Sequence, residues 1–171
     1  RMVCRYGRAS ALALFTKDAL RHADCQENRR LAWITVDHGG TDMTIAAIHL
    51  RWPFPSPQEA QLDGLEETWR ELGGPLVLVG DFNATPWSSA VDRVATATGT
   101  RTVPGLRRTY VWSDSSTGDV LSLPDSVGEL IALPIDHALI SPPLKVAGVS
   151  LGPRVSSDHL PLIVDIEMPR F

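Results

Sequence analysis

Residues 75–86 read PLVLVGDFNATP, and the fold turns on how they are taken. Residues 75–79 are continuously apolar and stop at Gly80, the pattern of a short strand buried on both faces. Asp81 and Asn83 then stand at the end of that strand. A carboxylate set against a buried strand is costly unless it is paired or binds a cation, so Asp81 calls for a physical reason.

Upstream, residues 31–38 (LAWITVDH) and 43–50 (MTIAAIHL) flank Gly39, Gly40, Thr41 and Asp42, which predicts a hairpin. Residues 51–57 carry three prolines and exclude both helix and inner strand. Leu62, Leu65, Trp69 and Leu72 then step by three and four, which predicts one amphipathic helix. A capping box of Ser56, Pro57 and Glu59, with proline at the first helical position, would start it, and Gly73 and Gly74 would end it. Downstream, a shorter helix is expected over 89–98, although its threonines are poor helix formers. Residues 99–134 are rich in Thr, Ser, Gly and Asp and read as long loops around one strand near 108–112. Residues 133–141, 144–151 and 160–168 read as three more strands. No fixed-period repeat or low-complexity tract occurs.

With 43% hydrophobic and 21% charged residues in 171, the composition suits a single domain over 1–171 with a substantial core. A net charge of −4 speaks against a surface that holds nucleic acid by broad phosphate neutralisation. Arg101, Arg107 and Arg108 form one small basic cluster, which reads as a solvated loop. Cys4 and Cys25 lie in no zinc-binding spacing. A disulfide between them needs an oxidising compartment, so two ordinary thiols are the preferred reading and the bridge is the alternative. No apolar run approaches the roughly 18 residues of a membrane span, and no signal-peptide pattern opens the chain. It begins with Arg1 rather than Met, as a processed or excised piece of something longer would.

Three polar groups interrupt apolar strands or stand at their ends: Asp81 and Asn83, Asp136 and His137, and Asp158 and His159. Taken singly, each has a bland explanation as a turn cap or a satisfied imidazole. Together they suit phosphoester hydrolysis, which needs oxygen ligands for a hard cation, a positioned water and an acid or charge stabiliser. His137 follows Asp136 in its strand, points to the opposite face, and is left out of the candidate set. There is no GxSxG, no P-loop and no dinucleotide fingerprint, so nothing suggests an activated nucleophile or a nucleotide cradle.

The string Gly80-Asp81-Phe82-Asn83 after an apolar strand, and Ser157-Asp158-His159-Leu160-Pro161 before the last one, resemble the GDFN and SDHxP motifs of the endonuclease/exonuclease/phosphatase superfamily. Ile135-Asp136-His137 is similar to its Asp-containing strand, and His49 to its strand-end histidine. The resemblance covers the chain from about residue 31 onward. It implies an α+β fold, a deoxyribonuclease-like two-sheet sandwich with helices on the outer faces (αββα), and a Mg²⁺- or Mn²⁺-dependent hydrolase. It also implies roles. Asp81 would orient or deprotonate the attacking water, Asn83 would bond a phosphoryl oxygen, and His159 would contact the scissile phosphate with Asp136 orienting its ring. His49 would be a second phosphate-contacting imidazole, and Asp158, with Asp81, would lie at the metal.

The family's principal metal ligands, a Glu on an early strand and an Asn on the first, have no counterpart ahead of His49. Glu27, the only glutamate there, sits in the polar stretch CQENRR and reads as loop. The economical expectation is an incomplete sandwich that lacks its first strands, in which residues 9–15 form a strand of the first half. Exposed edges would then favour self-association. The longer string GDFNATPWS is similar to a bacterial subgroup whose catalytic domain follows a membrane segment, which implies membrane association and a place outside the cytoplasm. Phospholipids, lipid-linked phosphates and small phosphorylated compounds are the expected substrates. A nuclease is the alternative, and a non-catalytic binding module or inactive fragment the second.

Overall fold

A computed structural model describes residues 1–8, 10–55, 57–110 and 132–169. Its centre is a six-stranded mixed sheet in the order β3-β4-β5-β6-β8-β7. Its members are β3 (Ala19–Gln26), β4 (Leu31–His38), β5 (Thr41–His49), β6 (Leu76–Asp81), β7 (Arg101–Thr102) and β8 (Asp136–Ile140). Among the described residues two separate antiparallel pairs complete the strands: β1 (Met2–Arg5) with β2 (Ala11–Leu14), and β9 (Lys145–Leu151) with β10 (Leu162–Glu167).

The period-2 alternation of strands sorts the core into two faces. Leu31, Trp33, Ala46, Ile48, Leu76, Leu78 and Leu139 pack on one face against α1 (Gln58–Asp63), α2 (Glu66–Glu71) and α3 (Ser89–Thr98) through Leu62, Leu65, Trp69, Val91 and Val94. Their neighbours in sequence turn the other way. Ala32, Ile34, Val36 and Ala47 meet Cys4 and Leu14 of the β1–β2 hairpin, while Val77, Ala138 and Ile140 meet the β9–β10 pair through Val149, Leu162 and Val164. The result is a sheet-dominated α+β layering in which helices cover one face of the central sheet and two hairpins cover the other.

The expected hairpin is present as β4 and β5, paired from His38↔Thr41 to Leu31↔Ile48 around Gly39 and Gly40. Both glycines have positive φ, 64° and 88°, as a tight primed turn requires. Residues 89–98 form α3 as read. Ser88 Oγ accepts the Val91 N–H at 3.2 Å, and Gly99 closes the helix at φ 62°.

Three expectations about the elements need correction, and one strand was not foreseen. The single helix after the prolines is two short ones, broken at Gly64 and Leu65. The Arg29 guanidinium lies 1.9 Å from where a Gly64 Cβ would stand and donates to Ala60 O, an approach that a residue without Cβ allows at the break. Pro57 is the residue before the helix rather than its first, no side chain caps it, and Ser56 lies outside the described residues. In the stretch 108–112, Arg108 and Thr109 are not in a strand, Tyr110 makes only isolated bridges to Leu133 and His159, and residues 111 and 112 lie outside the described residues. Finally, β3 had no signal, because its residues are nearly all exposed and carry no apolar alternation.

Cys4 and Cys25 are joined, which corrects the preference for two thiols. The β1–β2 hairpin crosses the start of β4, so Cys4 comes against Cys25 at the end of β3, with a sequence separation of 21 residues. The bridge ties a small hairpin to the main sheet and restricts the unfolded chain. Cys25→Ser is therefore expected to lower the unfolding free energy by about 3 kcal/mol. A urea titration without reductant measures it, and an unchanged midpoint would contradict this account of the bridge.

Candidate active site

The site follows from strand register. β5 and β6 run parallel and β6 and β8 antiparallel, with His49 opposite Asp81 and Asp81 opposite Asp136. These residues therefore form one row across three adjacent strands. His49 continues the Ile45, Ala47 alternation, Asp81 the Val77, Val79 alternation and Asp136 the Ala138, Ile140 alternation, so all three point to the hairpin side of the sheet. Gly80 allows this close pairing. It stands opposite Ile48 at φ 150°, and a Cβ there would meet Ile48 O at 1.9 Å.

The other side of the site comes from the covering layer. His159, in the segment before β10, places Nδ1 2.7 Å from Asp136 Oδ2. Its position is set by Thr109, whose carbonyl accepts the Leu160 N–H at 2.7 Å while its hydroxyl accepts the Asp136 N–H at 3.3 Å. Tyr6, just after β1, reaches His49 Nδ1 at 2.6 Å, and His49 Nε2 faces Asp81 Oδ2 at 3.5 Å. An aromatic series runs outward from His159 through Tyr110, at 5.0 Å between centroids, to Trp52 at a further 6.5 Å.

Asn83 is 4% exposed and left-handed at φ 47°. Its backbone N–H donates to Asp81 Oδ1 at 2.8 Å, and its amide donates to Leu50 O at 2.8 Å, which ties the end of β6 to the end of β5. Asp158 lies exposed in the bend before His159 and acts on Asp81 and His159 through its charge. Glu27 belongs to a one-turn helix, Glu27–Arg29, with none of its residues buried. His137 is on the helix side, where Nε2 donates to Ala84 O at 2.7 Å and the ring meets Phe82 edge-on.

The electrostatics follow from burial and pairing. Burial, reinforced by the Asp136 and Asp158 charges, pushes the Asp81 carboxyl up to about 6, against the lowering effects of the Asn83 N–H and His159. The hydrogen bond that the His159 ring donates to Asp136 holds the imidazole above its ordinary range despite burial. His49 goes the other way, lowered by burial and then by the Arg30 and His159 charges. One imidazole is thus biased toward the charged form and one toward the neutral form within the same small site.

Three features escaped the reading of the sequence. Tyr6 and Tyr110 lie in segments with no motif. Gln58 and Gln61, 4% and 3% exposed, left a signal, because they continue the buried stripe of Leu62 and Leu65 with polar side chains. Gln61 accepts the Arg51 N–H and donates to Arg29 O and His49 O, while Gln58 donates to Arg51 O and Phe82 O. The two side chains fix the strand ends that carry His49 and Asp81.

A divalent cation finds only part of a binding set. Asp81 is a half-buried carboxylate raised toward neutrality, as a site short of positive charge would show. Yet among the described residues no group of three or more His, Cys, Asp or Glu is arranged to hold a metal ion.

Layered in this way, with carboxylates and imidazoles gathered at one rim of a mixed sheet, the chain is an α+β protein of the deoxyribonuclease-like kind. The model of the Endonuclease/Exonuclease/phosphatase family matches residues 3–159, and the chain belongs to that family, whose members are hydrolytic phosphoesterases and nucleases generally dependent on a divalent metal. Similar solved structures include a family protein from Leptotrichia buccalis C-1013-b (TM-score 0.56, 16% identity, 81% of this chain and 54% of that one). Others are a mannosyl-6-phosphatase from Bacteroides thetaiotaomicron VPI-5482 (0.55, 18%, 81% and 57%) and the 3' phosphatase NExo from Neisseria bound to a product DNA hairpin (0.57, 20%, 81% and 65%). The chain spans 54% to 65% of the length of these structures. No curated protein matches the sequence.

Proposed function

We propose that the chain forms part of a divalent-metal-dependent hydrolase that cleaves phosphoester bonds by in-line attack of water. The observation that carries this reading is the Asp136–His159 pair at 2.7 Å, set beside Asp81 by strand register. Asp81, with a carboxyl near 6, is ionised at neutral pH yet more basic than an ordinary carboxylate, and takes the proton of the attacking water. His159, kept charged by Asp136, stabilises the developing negative charge or protonates the leaving oxygen. His49 contributes a second donor through Nε2. One amide N–H of Asn83 is taken by Leu50, and the second is the one left for a phosphoryl oxygen. Mg²⁺ or Mn²⁺ would take Asp81 and Asp158 from this chain and further ligands from outside the described residues, and no step above is routed through it.

For substrate, the reading favours a phospholipid, a lipid-linked phosphate or a small phosphorylated compound. An apolar cavity of about 400 Å³, bordered by Trp87, Leu106, Val149 and Leu162, reaches Asp136 and would take an apolar substituent. Two arginines of the small basic cluster are committed to backbone: Arg101 donates to Leu144 O and Arg107 to Val149 O. A nuclease is the second reading, favoured by the DNA-bound Neisseria phosphatase of similar fold. Membrane attachment belongs to the same proposal. Among the described residues no helix is long and apolar enough to cross a membrane. Exposed Val3, Phe15, Val155 and Ile163 on the covering layer suit association with another segment or another copy.

The test is hydrolysis of a phosphoester panel, from a chromogenic diester to phospholipid and DNA, by the full-length protein with and without Mg²⁺. Metal-dependent turnover with preference for the non-nucleic substrates is expected. A folded protein inert on the whole panel would leave a binding module instead.

A further inference from the structure

Tyr6 Oη lies 2.6 Å from His49 Nδ1, and the two rings meet edge to face with centroids 5.8 Å apart. The opposite ring nitrogen, Nε2, faces Asp81 Oδ2 at 3.5 Å. An ionised carboxylate accepts hydrogen bonds and donates none, so the single proton of neutral His49 belongs on Nε2, and the bare Nδ1 accepts from the tyrosine hydroxyl. The tyrosine contact is the shorter of the two and so the stronger constraint on the ring.

We propose that Tyr6 is a positioning residue of this site: by donating to Nδ1, its hydroxyl holds the His49 ring in the orientation and tautomer that present Nε2–H to Asp81 and to a phosphoryl group beside it. The surroundings of Tyr6 are built for this. Arg30 acts on both partners, since its carbonyl accepts the His49 backbone N–H at 3.0 Å while its guanidinium lies 5.0 Å over the Tyr6 ring. Burial holds the proton on the Tyr6 hydroxyl, with the Arg30 charge offsetting this in part, so the hydroxyl stays in the form that can donate. The Tyr6 backbone N–H donates to Ser10 O at 3.1 Å, closing the β1–β2 turn, and Cys4, two residues back, is bridged to Cys25. The hydroxyl is thus delivered by a hairpin fastened to the sheet that carries His49.

The effect on turnover rests on the phosphoesterase reading, whereas the ring assignment stands apart from it. Tyr6→Phe in the full-length protein removes one oxygen and keeps the ring, its edge contact and its place beneath Arg30. Proton–nitrogen correlation spectra of the His49 ring, recorded where the ring is neutral, are expected to show a protonated Nε2 and a bare Nδ1. In Tyr6→Phe the Nδ1 resonance should move to the position of an unbonded nitrogen, and kcat should fall about 10-fold with KM little changed. A protonated Nδ1, or an Nδ1 resonance that does not move, overturns the proposal. So does an unchanged kcat in an active enzyme whose Nδ1 resonance has moved. If Tyr6→Phe does not fold, a fluorinated tyrosine at position 6 replaces it; a more acidic hydroxyl should move Nδ1 further in the bonded direction, and no movement overturns the proposal. A full-length protein that is inert on every phosphoester, yet shows the Nδ1 shift, supports the ring assignment and sinks the hydrolase reading instead.

Discussion

His159→Ala in the full-length protein is expected to lower kcat on the order of a thousand-fold, the loss typical of removing a group that meets developing charge in a water-poor site. The ring sits where Asp136 holds Nδ1 at 2.7 Å, so Nε2 is the nitrogen left to face a substrate. Asp136→Asn should cost less, roughly 10- to 100-fold, because it leaves the imidazole in place while removing the carboxylate that orients it. The pH profile separates the two effects. The proposed function makes the charged form of His159 the working one, and Asp136 is the first cause of its raised affinity for a proton. Activity should therefore fall as pH rises through the His159 value, and in Asp136→Asn that alkaline limb should move to lower pH. A limb that stays put would mean that His159 does not act as a cation.

Asp81→Asn is expected to lower kcat on the order of ten-thousand-fold and, in metal-free protein above about pH 6, to make the fold more stable. The sign follows from linkage. The folded-state carboxyl titrates near 6 and the unfolded one near 3.8, so between those values the native state holds the extra proton. Stability falls as pH rises through this window, and at neutral pH the ionised carboxylate is a burden on the order of 2 kcal/mol after allowance for its partial exposure. Asparagine cannot ionise and keeps an oxygen for the Asn83 N–H, so the burden disappears. Urea titrations at two pH values in chelator measure it: the variant should exceed the natural protein near pH 8 and match it near pH 3. Greater stability of the natural protein at both would show Asp81 to be a structural residue. Greater stability of the variant near pH 8 would fit a residue that costs the fold stability and serves the proposed chemistry instead.

Much of this was legible in the residues. The runs 31–38, 43–50 and 75–79 have the alternation or continuity that a two-faced sheet demands, and β4, β5 and β6 formed there. The motif residues Asp81, Asp136 and His159 stood out because charge beside a buried strand has few physical excuses, and the strand register brings the first two together. Other features were hidden for physical reasons. β3 is exposed along nearly all of its length, so no hydrophobic pattern marks it. The break falls at Gly64, where Arg29, a residue far away in sequence, packs against the chain. The Cys4–Cys25 bridge needed the hairpin's position, which two cysteines in a sequence do not contain. Tyr6 reaches His49 across the space between layers, a contact that no local spacing encodes.

The central claim is that groups from distant stretches of the chain act as one unit on one phosphate. A double-mutant cycle on kcat with Asp81→Asn and His159→Ala in the full-length protein tests it most directly. Acting as a unit, the two changes together should lose little more than the more damaging one alone. Losses that multiply, or a double variant that still turns over near the natural rate, would contradict the account.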